Sequence, residues 1–341
     1  MTGTKSRLSD GELEQENDLQ ESAEALSQAA RDLDEKVRLE TLAERLLERR
    51  RAPEPRGPIS GRRTGLRRLV ARATARINQF ADFVLPSRPL HRLLLRGLEV
   101  EEKEIHLSRG AAGLDGLRIA FISDVHAGSC MNAEDLVRLF TKVAELKPDL
   151  VCFGGDLINT RERELLLFRE ALAMLDAPLG QYAVPGNHDH FWGQDIGLWE
   201  AFLQEHGVRV LNNAGARIER DGDTFWLAGV DDLTEGVPDL EVALSGARED
   251  EPILLLSHHP DFFYEAAAVG VDVQLSGHTH GGQVKLFGWS AVRHSRFGWH
   301  EGSYELEGSQ LYVGRGLGVT FLPMRLGASP ELPIFVLRTL A

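Results

Sequence analysis

Three apolar runs, LRIAFISD (117–124), DLVCFGGD (149–156) and QYAVPGNHD (181–189), each stop abruptly in carboxylate, asparagine or histidine side chains. Near-continuous apolar runs of this length read as strands covered on both faces, as in parallel sheets. Between them, AEDLVRLFTKVAELKP (133–148) and RERELLLFREALAMLD (161–176) place apolar residues at helical spacing. The pattern predicts a βαβαβ unit whose polar residues gather at one edge of an α/β sheet. FWLAGVDD, PILLLSHHP, VDVQLSGHTH, SQLYVGRG and PIFVLRTL follow as strand-like runs with fewer helices between them. A second sheet, mixed or more antiparallel, is therefore expected to pack on the first.

A chain of 341 residues with 43% hydrophobic composition can bury a large catalytic domain. Acidic residues outnumber basic ones 52 to 38, for a formal charge of -14, and no nucleic-acid partner is expected. Only Cys130 and Cys152 are present, which excludes a disulfide framework and a thiolate-held zinc. Both are expected as free thiols, Cys152 within a buried strand. The N-terminus MTGTKSRLSDGELEQENDLQ has no apolar core of a secretory signal, and no run is long enough to span a bilayer. A cytoplasmic location follows as the expectation, with peripheral contact at a membrane face left open.

The front of the chain divides differently. Residues 1–50 form an acidic extension in which Leu19, Leu26 and Leu33 repeat every seventh position, with Ala23, Ala30 and Val37 interleaved. This reads as a solvated helix or as a helix for a coiled-coil partner over 8–50. RAPEPRGPISG (51–61) breaks it as a linker. Residues 62–98 are arginine-rich, with Leu66, Leu69, Val70, Ala73, Ile77, Phe80, Ala81 and Val84 on an apolar stripe and Arg67, Arg68, Arg72 and Arg76 beside it. Such a basic amphipathic helix suits an anionic membrane surface; the alternatives are a helix packed on the catalytic domain, which occupies 99–341, and contact with RNA or another acidic partner.

The polar residues at the strand ends carry the chemistry. They are Asp124 and His126, then Asp156, then Asn187, His188 and Asp189, then His258 and His259, then His278 and His280. In α/β sheets, ligands bind outside the carboxyl ends of strands. Imidazole and carboxylate donors without thiolate suit Mn²⁺, Fe or Zn²⁺. They are too many for one ion with an open position, and fit two divalent ions sharing a carboxylate.

DVH, GGD, GNHD, SHHP and GHTH, in this order, resemble the calcineurin-like metallophosphoesterase family over roughly 100–341. The resemblance implies a four-layer α-β-β-α sandwich of two mixed sheets, here preceded by the helical N-terminal extension. It further implies one ion on Asp124, His126, Asp156 and His280, and a second on Asp156, Asn187, His258 and His278, with Asp156 bridging. A hydroxide between the ions would attack phosphorus, His188 would steady the phosphoryl charge or protonate the leaving oxygen, and Asp189 would orient His188. The family pattern selects His258 over its neighbour His259, which, like His190, is left to an outer or solvated role. His91, His106, His206, His294 and His300 lack motif context and read as surface residues.

A narrower resemblance lies in GHTHGGQVKLFG (277–288) and GRGLGVTFLPMRLGASPELPIFVL (314–337). These are similar to bacterial membrane-associated phosphodiesterases related to hydrolases of UDP-2,3-diacylglucosamine. That resemblance implies a lipid-linked phosphoester or pyrophosphate substrate. This chain departs from the subgroup in carrying the arginine-rich helix where a membrane anchor commonly stands. Gln283 and Arg315 are candidate substrate contacts, Arg315 equally a structural ion pair. Phe287, Trp289, Phe297 and Trp299 read as local core or as an apolar lid. Two other readings stay open: a soluble cyclic-nucleotide or broad-specificity phosphodiesterase, and a non-catalytic protein-binding scaffold of the same fold.

Overall fold

The structure, a computed structural model, describes residues 97–339 except 108, 110–111, 129, 191–195, 287–288, 291–293 and 321–323. The expected acidic helix of 1–50, the linker 51–61 and the arginine-rich segment up to residue 96 lie outside the described residues.

The apolar runs form strands as their composition dictates. β1 (Glu99–Leu107), β2 (Arg118–Ile122), β3 (Leu150–Phe153), β4 (Gln181–Ala183) and β5 (Val208–Val210) belong to the first sheet. The second sheet holds β6 (Ala214–Arg220), β7 (Asp223–Gly229), β8 (Ile253–Leu256) and β9 (Val273–Ser276). β10 (Lys285–Leu286) and β11 (Trp289–Ser290) pair as a short ribbon, and β12 (Gly302–Leu306) and β13 (Ser309–Val313) complete the second sheet. β14 (Glu331–Thr339) returns to the first sheet, whose order is β1-β14-β2-β3-β4-β5; the second runs β12-β13-β9-β8-β7-β6.

Both sheets are mixed. In the first, β2, β3, β4 and β5 are parallel, while β14 runs antiparallel to β2 and parallel to β1. In the second, β13, β9, β8 and β7 are parallel and the edges β12 and β6 are antiparallel. PIFVLRTL thus lands in the interior of the first sheet, because its unbroken apolar run is buried on both faces. The two sheets meet over Phe121, Cys152, Phe335, Leu227, Leu256 and Leu275.

Helices cover the outer faces. α1 (Ala133–Glu145), α2 (Arg169–Leu172) and α3 (Gly197–Glu205) lie on the first sheet, where Leu136, Phe140 and Trp199 join Ile122 and Phe153 in one core. α4 (Leu240–Leu244) and α5 (Phe263–Ala268) cover the second sheet, packing Ala243 and Phe263 with Trp226 and Leu255. The helix expected over 161–176 is shorter than its sequence pattern. Glu162–Phe168 forms a 3-10 helix, and only Arg169–Leu172 is α-helical. Leu165 and Phe168 are both buried, and a 3-10 turn stacks residues three apart on one side. Glu164 fixes the turn's start by accepting amide hydrogen bonds from Asn159, Thr160 and Arg161.

α1 opens with a reciprocal cap: the Asn132 side chain accepts from Asp135 N at 3.0 Å, and Asp135 accepts from Asn132 N at 3.3 Å. Asn132→Ala is expected to lower unfolding stability by about 1 kcal/mol in urea titrations. An unchanged midpoint would show that the cap carries no net stability.

Candidate metal centre

Strands of both sheets deliver their carboxyl ends to one rim. β2 ends before Asp124 and His126, β3 before Asp156, and β4 before Asn187 and His188. From the second sheet, β8 ends before His258 and β9 before His278 and His280. The backbone turns sharply to aim these side chains inward. Asp124, His126, Asp156, His278 and His280 all take left-handed conformations, with φ between 46 and 70°. Such conformations cost a non-glycine residue on the order of 1–3 kcal/mol each and concentrate where a site demands them. Two glycines allow the close approach: a Cβ on Gly277 would lie 2.2 Å from Asp124 Oδ2, and one on Gly186 2.3 Å from Asp156 Oδ1.

The result is two overlapping groups of donors. In one, His126 Nε2 lies 3.0 Å from His280 Nε2, and His280 Nε2 lies 3.5 Å from Asp124 Oδ1. In the other, His278 Nδ1 lies 3.3 Å from His258 Nε2 and 3.0 Å from Asn187 Oδ1. Asp156 Oδ2 joins them, at 3.5 Å from His126 Nε2 and 3.3 Å from His258 Nε2. Asp124 Oδ2 is enclosed and has no hydrogen-bond partner. Buried acceptors crowded this closely, one of them orphaned, are stabilised by cations. The donor set therefore fits a dinuclear metal site, with Asp156 at its centre.

The protonation pattern agrees. Burial holds His126, His278 and His280 well below the usual imidazole range, with neighbouring imidazoles adding to the effect, so their lone pairs are free. Burial also opposes charge on His258, but the Asp156 carboxylate beside it outweighs that and holds its pKa well above the usual value. Asp156 is likewise disfavoured as an anion by burial, yet His258 and its neighbours hold it well below the carboxylate range. Burial pushes Asp124 up to about 6. His258 Nδ1 bonds to the Gly154 carbonyl at 2.8 Å, which leaves Nε2 directed at Asp156.

His188 stands edge-on to His126, ring centroids 4.6 Å apart, and its Nδ1 lies 2.5 Å from the Asn159 carbonyl. Asp189, expected to orient that imidazole, does something else. Its carboxylate accepts from Leu157 N, Ile158 N and Gly186 N at 3.0, 3.2 and 2.9 Å, tying the GGD loop to the GNHD loop. The reason is geometric: buried among three backbone amides, the carboxylate meets those donors before the ring. The orienting acceptor is Asn159, and Glu164 fixes the loop that carries it.

His259 faces away from Asp156; its Nδ1 accepts from Asp261 N at 3.2 Å and its ring packs on His278 at 4.2 Å. His190 pairs with Asp231 at 2.7 Å. Gln283 is bonded both ways to Thr320, each at 2.8 Å. Arg315 pairs with Glu99 at 2.5 Å and with Glu331 at 3.7 Å. Trp299 packs on Phe263 at 5.4 Å, whereas Phe297 is half exposed against Tyr264 at 4.4 Å. Phe287 lies outside the described residues, and so does the Trp289 side chain. Cys130 and Cys152 are free thiols, Cys152 buried.

Four residues at the site escaped the sequence reading. Asn159 and Glu164 act through a backbone carbonyl and a turn, and neither belongs to a motif. Arg325 donates to the Gly318 carbonyl at 2.8 Å and to the His280 and Ala328 carbonyls at 3.4 and 3.3 Å, locking a distant loop to the GHTH turn. His294, read as a surface residue, is half buried with its ring 5.4 Å from that of His278. Only the fold brings its segment back across the rim.

Residues 117–282 match the calcineurin-like phosphoesterase family. The chain is 34% identical over 247 residues to the uncharacterized metallophosphoesterase YkuE of Bacillus subtilis, covering 71% of this chain and 86% of that protein. An uncharacterized metallophosphoesterase of Aquifex aeolicus is 34% identical over 71% of this chain and 92% of its own length. The Danio rerio "transmembrane protein with metallophosphoesterase domain" is 33% identical over 70% of this chain, which spans only 57% of that protein. The chain belongs to the calcineurin-like metallophosphoesterase family and is a phosphoesterase. No helix among the described residues is long and apolar enough to cross a membrane.

Two outcomes follow from the geometry. Loading the metal-free protein with Mn²⁺ near pH 7 should release about one proton per chain, from His258, because His126, His278 and His280 are already neutral. Calorimetry in buffers of different ionisation enthalpy reads this, and zero net release would contradict the charge pattern. Glu164→Ala should lower kcat about tenfold or more by freeing the Asn159 carbonyl from His188, with metal content unchanged. Glu164→Gln, which keeps an acceptor oxygen, should lose less; an equal loss of metal in either variant would move Glu164 into the metal site itself.

Proposed function

We propose that this chain is a dinuclear metal-dependent phosphodiesterase or pyrophosphatase, with a lipid-linked phosphoester such as UDP-2,3-diacylglucosamine as its substrate class. The observation that carries the dinuclear reading is the single Asp156 oxygen within 3.5 Å of histidines from two different sheets. Asp124, His126, Asp156 and His280 would hold one ion, and Asp156, Asn187, His258 and His278 the other. The ions, Mn²⁺, Fe or Zn²⁺ by their donor chemistry, supply Lewis acidity and a water nucleophile at neutral pH.

The chain's own residues supply the rest. Held through Nδ1 on the Asn159 carbonyl, His188 would steady the phosphoryl charge or hand a proton to the leaving oxygen. Asp189 serves by holding the GGD and GNHD loops in register beneath it. Gln283 and Arg315, bonded to the protein in this structure, would shape the rim near the GHTH turn.

The arginine-rich segment 62–98 supports placement on an anionic membrane surface, and the heptad pattern in 8–50 supports a coiled-coil partner. The domain division 1–50, 51–61, 62–98 and 99–341 belongs to the same reading.

Metal-free full-length chain supplied with Mn²⁺ should hydrolyse bis(4-nitrophenyl) phosphate. Asp156→Ala should reduce turnover by roughly a thousandfold or more, as loss of a bridging ligand removes both ions' alignment. No turnover with two ions demonstrably bound would favour the protein-binding scaffold. For the membrane reading, full-length chain should sediment with vesicles containing anionic lipid. Replacing Arg67, Arg68, Arg72 and Arg76 with Gln should weaken this by orders of magnitude, at about 1 kcal/mol per side chain; equal sedimentation would remove the membrane from the account.

A further inference from the structure

The histidines in direct contact with the Asp156 carboxylate or with His188 are accounted for by that contact or by a bond to the backbone. His294 is not. Its ring is half buried and meets His278 edge-on, at 5.4 Å and 76°. No hydrogen bond joins its nitrogens to any described residue, and it belongs to neither donor group around Asp156. Apart from the effect of burial, the groups acting on it are Asp156, His300 and His188.

The segment carrying it is held firmly. Ser295, next in the chain, donates to Asp261 Oδ1 at 2.6 Å, and its Oγ accepts from Phe297 N and Trp299 N at 3.3 and 3.1 Å. Arg296 N donates to Asp261 Oδ2 at 3.0 Å. Asp261 belongs to the loop that follows the SHHP motif, so this strap is fastened directly beside the metal donors. An uncommitted imidazole on a rigid support is preorganised for a ligand rather than for the protein.

The placement is complementary to that of His188. His188 leans edge-on against His126, at 4.6 Å and 87°, while His294 leans against His278. His126 and His278 lie in the two different donor groups on either side of Asp156. Two imidazoles thus bracket the position that the shared carboxylate defines.

We infer that His294 is a second substrate-contacting side chain, donating an N–H to a phosphoryl oxygen from the side opposite His188. This rests on the phosphoesterase reading and adds to it a residue that no motif marks. An N–H donated to a phosphoryl oxygen is a bond to a charged acceptor, and its loss reaches tenfold or more in affinity.

The test uses the full-length chain loaded with Mn²⁺. Inorganic phosphate binding is measured by calorimetry, and bis(4-nitrophenyl) phosphate kinetics are run alongside. His294→Ala should weaken phosphate about tenfold and raise KM by a similar factor, with kcat changing less and Mn²⁺ content unchanged. His294→Phe keeps a ring against His278 without a donor and should match the Ala variant, whereas His294→Gln should recover part of the affinity. Full recovery by Phe, unchanged phosphate affinity in Ala, or loss of Mn²⁺ would each overturn the assignment. If wild-type chain binds phosphate through His294 but turns nothing over, the contact stands and the hydrolase reading fails. If it neither binds phosphate nor turns over, both fall.

Discussion

One carboxylate oxygen organises this molecule. Asp156 Oδ2 sits within 3.5 Å of imidazole nitrogens carried by strands of both sheets, and the other oxygen accepts the His188 amide at 2.8 Å. A buried anion in that position is unfavourable alone and favourable only when cations or protonated imidazole surround it. The left-handed turn at Asp156 and the side-chain-free surface of Gly186 exist to seat it. The sandwich serves the same arrangement, since two sheets packed face to face over Phe121, Cys152, Phe335, Leu227, Leu256 and Leu275 bring strand ends from both to one rim.

Around that centre the chain spends its polar groups on holding loops still. Asp189 ties the GGD and GNHD loops, Glu164 fixes the turn that carries Asn159, Arg325 fastens Gly318 and Ala328 to the GHTH turn, and Ser295 clamps the strap bearing His294. None of these needs to touch a substrate to matter. Loops on the rim of an α/β sheet carry the chemistry, and their positions set the near-attack geometry to within fractions of an ångström.

Much of this was legible in the sequence because the strands here are buried on both faces, and such strands announce themselves as unbroken apolar runs. Asp124, His126, Asp156, Asn187, His258, His278 and His280 were readable because each directly follows such a run. Of the adjacent pair, His258 Nε2 lies 3.3 Å from Asp156 Oδ2, while His259 Nδ1 accepts from Asp261 N. What stayed hidden depended on tertiary return of the chain. His294 reaches the rim through a loop with no periodicity, and Asn159 contributes a carbonyl that any residue has. Asp189 was legible as a site residue but not in its contact, since backbone amides compete for a carboxylate in ways a motif does not encode. The shortened helix at 162–172 shows the same limit, with tertiary capping by Glu164 overriding the local period.

The central claim is that Asp156 lies between two cations. Crystals of the chain grown with Mn²⁺ and measured at its absorption edge test it directly. Two anomalous peaks about 3.5–4 Å apart, flanking Asp156 and contacted by the two donor groups, are the predicted result. A single peak away from Asp156, or none between the histidines, would contradict it.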